Sequence, residues 1–132
     1  MKILSKAKDG GPDSNVTGFF IVEIKSLFSI VLLRFEGRSR ANFHSHAFNM
    51  WTWLISGTMT EIFHGYFWTR FYHRSFKPKL TRRSDVHKVN SHGVSWAISL
   101  RGPWSDHQHW YEHDPKTGEY IALTYDREGA GR

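Results

Sequence analysis

Hydrophobic and polar positions alternate along most of this chain in short runs, with turn residues between them. From Thr17 to Phe35 the sequence is rich in Phe, Ile, Val and Leu. Its β-branched content and weak helical periodicity predict two strands, about residues 18–24 and 27–36, in preference to one helix. Glu36-Gly37-Arg38-Ser39-Arg40 follows as a turn. Phe43 to Ile55 is an aromatic, β-prone strand, bent at Asn49, and Ser56-Gly57 makes a tight turn. Thr58 to Phe63 continues as a strand, and after Gly65 the run Tyr66 to Arg74 follows. There Phe67, Thr69, Phe71 and His73 share one face, and Trp68, Arg70, Tyr72 and Arg74 the other. Lys77-Pro78-Lys79 reads as a loop, Asp85 to Val89 as a short strand and Asn90-Ser91-His92-Gly93 as a hairpin-like turn. Val94 to Leu100 alternates, with Val94, Trp96, Ile98 and Leu100 on one face. A turn at Asp114–Gly118 precedes a last strand, Glu119 to Tyr125. No convincing amphipathic helix interrupts this series. Many short strands with regularly spaced turns predict an all-β sandwich or closed barrel.

The ends carry less pattern. Residues 1–16 contain Asp9-Gly10-Gly11-Pro12-Asp13-Ser14-Asn15, which is turn chemistry, and are expected to form a flexible N-terminal arm or a short edge strand. The folded domain is placed at 17–126 and a tail at 127–132. A chain of 132 residues is sized for a single domain with a real core. Aromatic residues make up 16% of it, which suits strands and supplies large buried areas. The longest apolar stretch, Leu27 to Leu33, is strand-sized and far below the ~18–20 residues of a membrane span. Lys2, Lys6 and Lys8 surround only Ile3 and Leu4, unlike a signal peptide. The expectation is a cytoplasmic protein with no membrane partner.

Charge and histidine content change the picture more. The formal charge is +6, which suits an anionic partner, although scattered basic residues more often form a solvated surface. There are no cysteines, so disulfides and thiolate metal sites are excluded and any metal must sit on His and carboxylates. Nine histidines are present. His44 and His46 are two residues apart, so on a strand both imidazoles aim at one point and together can bind a transition metal. A His-x-His pair can also be exposed and idle; Phe43, Trp51 and Gly57 at their places favour the ligand reading. Asp106, His107, His109 and His113 form a second candidate cluster, for which an exposed polar edge strand is the favoured reading. His64 and His73 read as surface or hydrogen-bonded residues.

The run Gly37…His44-Ser45-His46…Gly57 resembles the first motif of the cupins. In that pattern a glutamate follows the His-x-His pair and a glycine closes the motif. Gly57 occupies the glycine position; Met50 occupies the glutamate position. His87, two strands later and after a turn, fits the histidine of the second cupin motif, without the Pro-x-Gly before it or the Asn after it. The order His-x-His, Gly57, Glu61, His87, Trp96, Gly102-Pro103 is similar to that of small cupin-like proteins common in phages and bacteria. The resemblance spans about residues 30–112. It implies a double-stranded β-helix, or jelly-roll barrel, and a divalent metal on His44, His46 and His87, with His92 as an alternative third ligand. Glu61 is then a polar residue supporting a ligand, and Met50 lines the core or cavity.

Three neutral nitrogen donors leave the full 2+ charge on the ion and positions open for substrate. Fe(II) leads, and Zn(II), Ni(II) and Mn(II) also suit imidazole. Three-histidine iron sites resemble those of thiol dioxygenases, where a thiol and O2 meet at the iron. This implies an oxygenase, with Arg34, Arg70 or Arg83 holding a substrate carboxylate by a bidentate contact. The chain departs from that group in lacking the cysteine of a Cys–Tyr crosslink and a recognisable Ser-His-Tyr triad. Three other functions compete. A non-catalytic cupin could bind an anionic ligand such as a nucleotide, with Trp53, Trp68 or Trp96 stacking and Arg70 or Arg83 on phosphate. Nucleic-acid binding is physically plausible but has no motif behind it. A sugar isomerase or epimerase with a histidine base also fits the spacing. Pairing through edge strands or an N-terminal strand, with residues 17–24 suited to it, leads to the expectation of a homodimer.

Overall fold

A computed structural model describes residues 1–9, 14–38, 43–63, 69–104, 110–113, 117 and 120–123. Every regular element among them is a β-strand: β1 (Lys2–Lys8), β2 (Val16–Ile24), β3 (Phe28–Glu36), β4 (Met50–Ser56), β5 (Thr58–Phe63), β6 (Thr69–His73), β7 (Lys79–Thr81), β8 (His87–Ser91), β9 (Val94–Arg101), β10 (Trp110–His113) and β11 (Tyr120–Leu123). No described helix is long and apolar enough to cross a membrane. A six-stranded sheet has the order β1-β2-β3-β9-β4-β7, a three-stranded sheet the order β6-β5-β8, and β10 and β11 form a hairpin. All pairings are antiparallel.

Two glycine turns are among the passages that carry the chain between the two larger sheets, which it also crosses on either side of β7. Gly57 links β4 to β5 with φ +88, and a Cβ there would lie 2.8 Å from Ser95 Cα, so only glycine fits without displacement. Gly93, at φ +77, closes the β8–β9 turn. Another passage between sheets lies ahead of β4. The predicted continuous strand from Phe43 to Ile55 is not formed. His44 makes an isolated antiparallel bridge to His87, with reciprocal backbone hydrogen bonds of 2.9 Å, and regular pairing with β9 begins only at Met50. The cause is topological: His44 lies against the small sheet and Met50 in the large one.

The edges also differ from expectation. Of the two expectations for the N-terminus, the edge strand is the one formed and the flexible arm is not: residues 2–8 pair along β2 from Lys2↔Glu23 to Lys8↔Thr17. The sheet therefore starts ahead of the boundary expected at residue 17. Residues 17–24 are no candidate for edge pairing, since β2 is flanked by β1 and β3. Lys79 belongs to a strand and not to the loop predicted for it, and β8 runs two residues beyond Val89.

Alternation in β9 sets its two faces correctly, yet the buried face is the small and polar one. Ser95, Ala97, Ser99 and Arg101 are buried, whereas Val94 and Leu100 are exposed. The inner face joins these residues to Val31 and Leu33 of β3 and to Met50 of β4 across the ladder. One apolar cluster is built from Phe20, Val31 and Leu33, another from Ala47, Phe48, Met50 and Trp104.

Candidate metal centre

Three imidazoles converge at one end of this interior. The His44–His87 bridge sets two of them side by side, and the two-residue step to His46 brings in the third. Ring centroids are 5.0 Å apart for His44–His46, 5.2 Å for His44–His87 and 5.1 Å for His46–His87. One ring nitrogen from each lies within 4.8 Å of the other two. Donors about 2.0–2.1 Å from a common ion would stand roughly 3.3 Å apart in a tetrahedral arrangement, so modest side-chain adjustment closes this group on a cation.

The chemistry of the donors fits a metal. His46 Nδ1 is buried and has no hydrogen-bond partner among the described residues. A lone pair left unsatisfied in the interior is costly, and a cation would satisfy it. Burial, reinforced by His44, His87 and the Arg101 charge, holds the His46 imidazole well below the usual histidine range. Burial also lowers His87, with Glu61 opposing it. Both rings are thus neutral near pH 7, the form that ligates.

Beneath His87 lies a charged network. Glu61 is fully buried. Its Oε2 accepts from His87 Nδ1 and from Lys79 Nζ at 2.5 Å, and its Oε1 accepts from Tyr72 Oη at 2.6 Å. Burial alone would raise the Glu61 pKa, but the His87 hydrogen bond and the Lys79 charge bring it down to about 2. Burial pushes the Lys79 ammonium down while Glu61 holds it up. Burial and Glu61 together push the Tyr72 phenol above its ordinary value. With Nδ1–H engaged by Glu61, Nε2 is the His87 nitrogen left to face an ion, the arrangement that orients metal-binding histidines.

The other residues singled out from sequence scatter. Met50 packs with Phe48, and its sulfur accepts from Ser99 Oγ at 3.7 Å. Arg34 is ion-paired with Glu36 at 2.9 Å and lies over Trp96. In register, Arg34 pairs with Trp96, and Trp53 with Ile98. These positions alternate with the buried Leu33, Ala97 and Ser99, so Arg34, Trp53 and Trp96 sit on the outer face and cannot reach a substrate at the histidines. Arg70 pairs in register with Glu61 and is exposed beside Tyr72. Arg83 lies in the segment after β7, where its amide donates to Asn49 Oδ1 at 2.7 Å. His92 bonds Thr60 at 2.7 Å, stacks on Phe71 and takes no part in the cluster. Trp68, His64, Asp106, His107 and His109 lie outside the described residues, as does the side chain of His113.

Lys79 and Tyr72 escaped the sequence reading. The available sign was Glu61 itself: in a strand where Met59, Glu61 and Phe63 share a face, a carboxylate turned inward needs a cation and donors. Arg101 also went unnoticed. It is 2% exposed, makes a bidentate pair with Asp9 at 2.6 and 3.3 Å, and lies 4.8 Å over the Phe48 ring, near His46.

No protein-family profile matches the chain, and no curated protein matches it in sequence. Solved structures do. A cupin-like protein from Thermotoga maritima superposes with a TM-score of 0.59 at 15% identity, over 94% of this chain and 90% of its own. A sugar phosphate isomerase of the cupin superfamily from Silicibacter pomeroyi gives 0.58 at 8% identity, over 96% and 94%. The polyketide cyclase RemF from Streptomyces resistomycificus gives 0.61 at 9% identity, over 75% and 73%. The chain therefore has the cupin jelly-roll fold, and the cluster of His44, His46 and His87 makes it a candidate divalent-metal site within that fold.

Proposed function

We propose that this protein is a metal-dependent cupin that holds one divalent ion on His44, His46 and His87 and acts on a small molecule beside it. The observation that carries this reading is the approach of three ring nitrogens, one from each imidazole, within 4.8 Å of one another. Glu61 supports the site by fixing the His87 tautomer, and Lys79 and Tyr72 hold Glu61 in its ionised form. A divalent ion there would supply Lewis acidity, and Fe(II) would add the capacity for O2 chemistry. A reaction of the thiol-dioxygenase kind is the activity to test first. All-imidazole ligation leaves a full 2+ charge to attract a thiolate, and His46, buried and neutral, adds no competing cation. Its substrate would be anionic and the protein cytoplasmic. Anaerobic reconstitution with Fe(II), then O2 uptake with a panel of thiols, tests this. Thiol-dependent uptake that disappears in His46→Ala supports the oxygenase. A tightly metallated protein inert to every thiol would leave a metal-binding cupin with other chemistry.

Self-association belongs to the same reading. The outer face of the large sheet exposes Trp51, Leu80 and Leu100, which are neighbours in one cross-strand row. Val22 and Ile30 extend that row, and Phe19, Leu32, Ile98 and Trp53 form the next. A contiguous apolar sheet face of this extent suits burial against a second copy.

A further inference from the structure

We infer that Asp9, at the end of the N-terminal strand, sets the metal affinity of the histidine cluster by neutralising Arg101, a guanidinium buried near that cluster. The inference rests on the metal site proposed above and gives it a charge-tuning residue from the far end of the sequence. Arg101 ends β9 and is 2% exposed. Its guanidinium lies 4.8 Å over the Phe48 ring, and the Phe48 and His46 ring centroids are 5.5 Å apart. These two contacts bring a positive charge within roughly 10 Å of the His46 ring, about one Debye length, and buried charges are screened less than exposed ones. An unmatched cation there would repel a divalent ion on His44, His46 and His87. Asp9 matches it in a two-point contact: Oδ2 accepts from Nη2 at 2.6 Å and Oδ1 from Nη1 at 3.3 Å. Glu23 is also buried and shares a cross-strand row with Arg101, but Ser29 stands between them. Among the described residues, Asp9 is the carboxylate that forms an ion pair with Arg101.

The backbone holds position 9 independently of its side chain. The Asp9 amide donates to the Val16 carbonyl at 2.9 Å, and its own carbonyl accepts from Ser14 Oγ at 2.6 Å. A neutral residue at position 9 therefore changes the charge near the metal while the end of β1 stays in place. The sign of the effect separates this role from simple anchoring. If the pair only anchored the strand, losing either partner would loosen the site and weaken metal binding. If the pair sets charge, losing Asp9 weakens binding and losing Arg101 strengthens it. A unit charge about 10 Å from a dication alters its binding roughly 4- to 200-fold across effective dielectric constants of about 80 to 20.

Competition with a fluorescent chelator, at low salt and pH 7, reads the Zn(II) affinity of the full chain and of its variants. Asp9→Asn should weaken binding about tenfold, and Arg101→Met should strengthen it by a similar factor. Asp9→Glu keeps the charge and should stay within about threefold of wild type, as should the double variant Asp9→Asn with Arg101→Met, in which both charges are gone. Far-UV spectra establish which variants fold, and either single variant decides the sign without the other. A wild type that binds Zn(II) while Asp9→Asn binds as tightly, or while Arg101→Met binds more weakly, would overturn this inference and leave the metal site standing. A wild type that binds no Zn(II) would remove the site and the inference with it.

Discussion

Glu61→Gln is the substitution whose consequence the structure defines most closely. Gln is nearly isosteric, so packing is kept and the charge is lost. The carboxylate has three donors in a site with no exposure, and its pKa falls from an ordinary 4.5 to about 2. A depressed carboxyl pKa means that the unfolded chain takes up the proton first. The stabilisation is therefore complete above about pH 4.5 and disappears as pH falls towards 2. The shift corresponds to about 3 kcal/mol at neutral pH. With a urea slope of roughly 1–3 kcal/mol/M, the unfolding midpoint of the variant should lie about 1–3 M below wild type at pH 7. At pH 2 the native carboxyl is about half protonated, so the gap should shrink to roughly 0.4 kcal/mol and the midpoints should nearly converge. Tryptophan fluorescence in urea, on metal-free protein at pH 7, 4 and 2, reads this directly. A gap of the same size at every pH would refute the electrostatic account and reduce Glu61 to a packing residue. Combining Glu61→Gln with Lys79→Met should show non-additivity of about 1–3 kcal/mol, because the two side chains share one network.

Other expectations follow from the same geometry. Glu61→Gln should also weaken Zn(II) binding about 10–100-fold, since His87 loses its orienting carboxylate; competition with a fluorescent chelator measures this. His46 stays neutral in the fold below the usual histidine range, so its burial costs stability as pH falls below about 6.5, where the unfolded chain takes up a proton; saturating Zn(II) should reduce that loss in thermal melts at pH 7 and 5.5. Gly57→Ala should destabilise the protein by about 2 kcal/mol or more, because the new Cβ would meet Ser95 at a positive-φ position; a drop in thermal midpoint checks it, and an unchanged midpoint would contradict the described turn. Wild type should sediment as a dimer at equilibrium, and Trp51→Glu, in the outer apolar face, should shift it to monomer; a monomeric wild type would contradict the proposed self-association.

The histidine geometry and the strand series were legible because both rest on local periodicity. His44 and His46 converge even though they are not on one continuous strand, since a bridge at His44 is enough to fix the start of the two-residue step. The strand itself was misplaced because pairing across sheets is a non-local fact: nothing between Phe43 and Met50 announces that the chain leaves β8 for β9. The phase of β9 was readable, but not which face is core. Ser95 and Ser99 are buried on the inner face, while Val94 and Leu100 face outward, and periodicity does not distinguish a core face from an apolar outer one. Lys79 and Tyr72 were hidden for a different reason. β7 is three residues long in a Lys-Pro-Lys setting, and only the buried carboxylate it serves reveals its purpose.

The most direct test of the account is calorimetric titration of untagged, metal-free protein with Zn(II) and, anaerobically, with Fe(II), alongside His44→Ala, His46→Ala and His87→Ala. One ion per wild-type chain, with binding weakened by orders of magnitude in each variant, is the predicted result. A wild-type chain that binds neither ion, or alanine variants that bind as tightly as wild type, would contradict it.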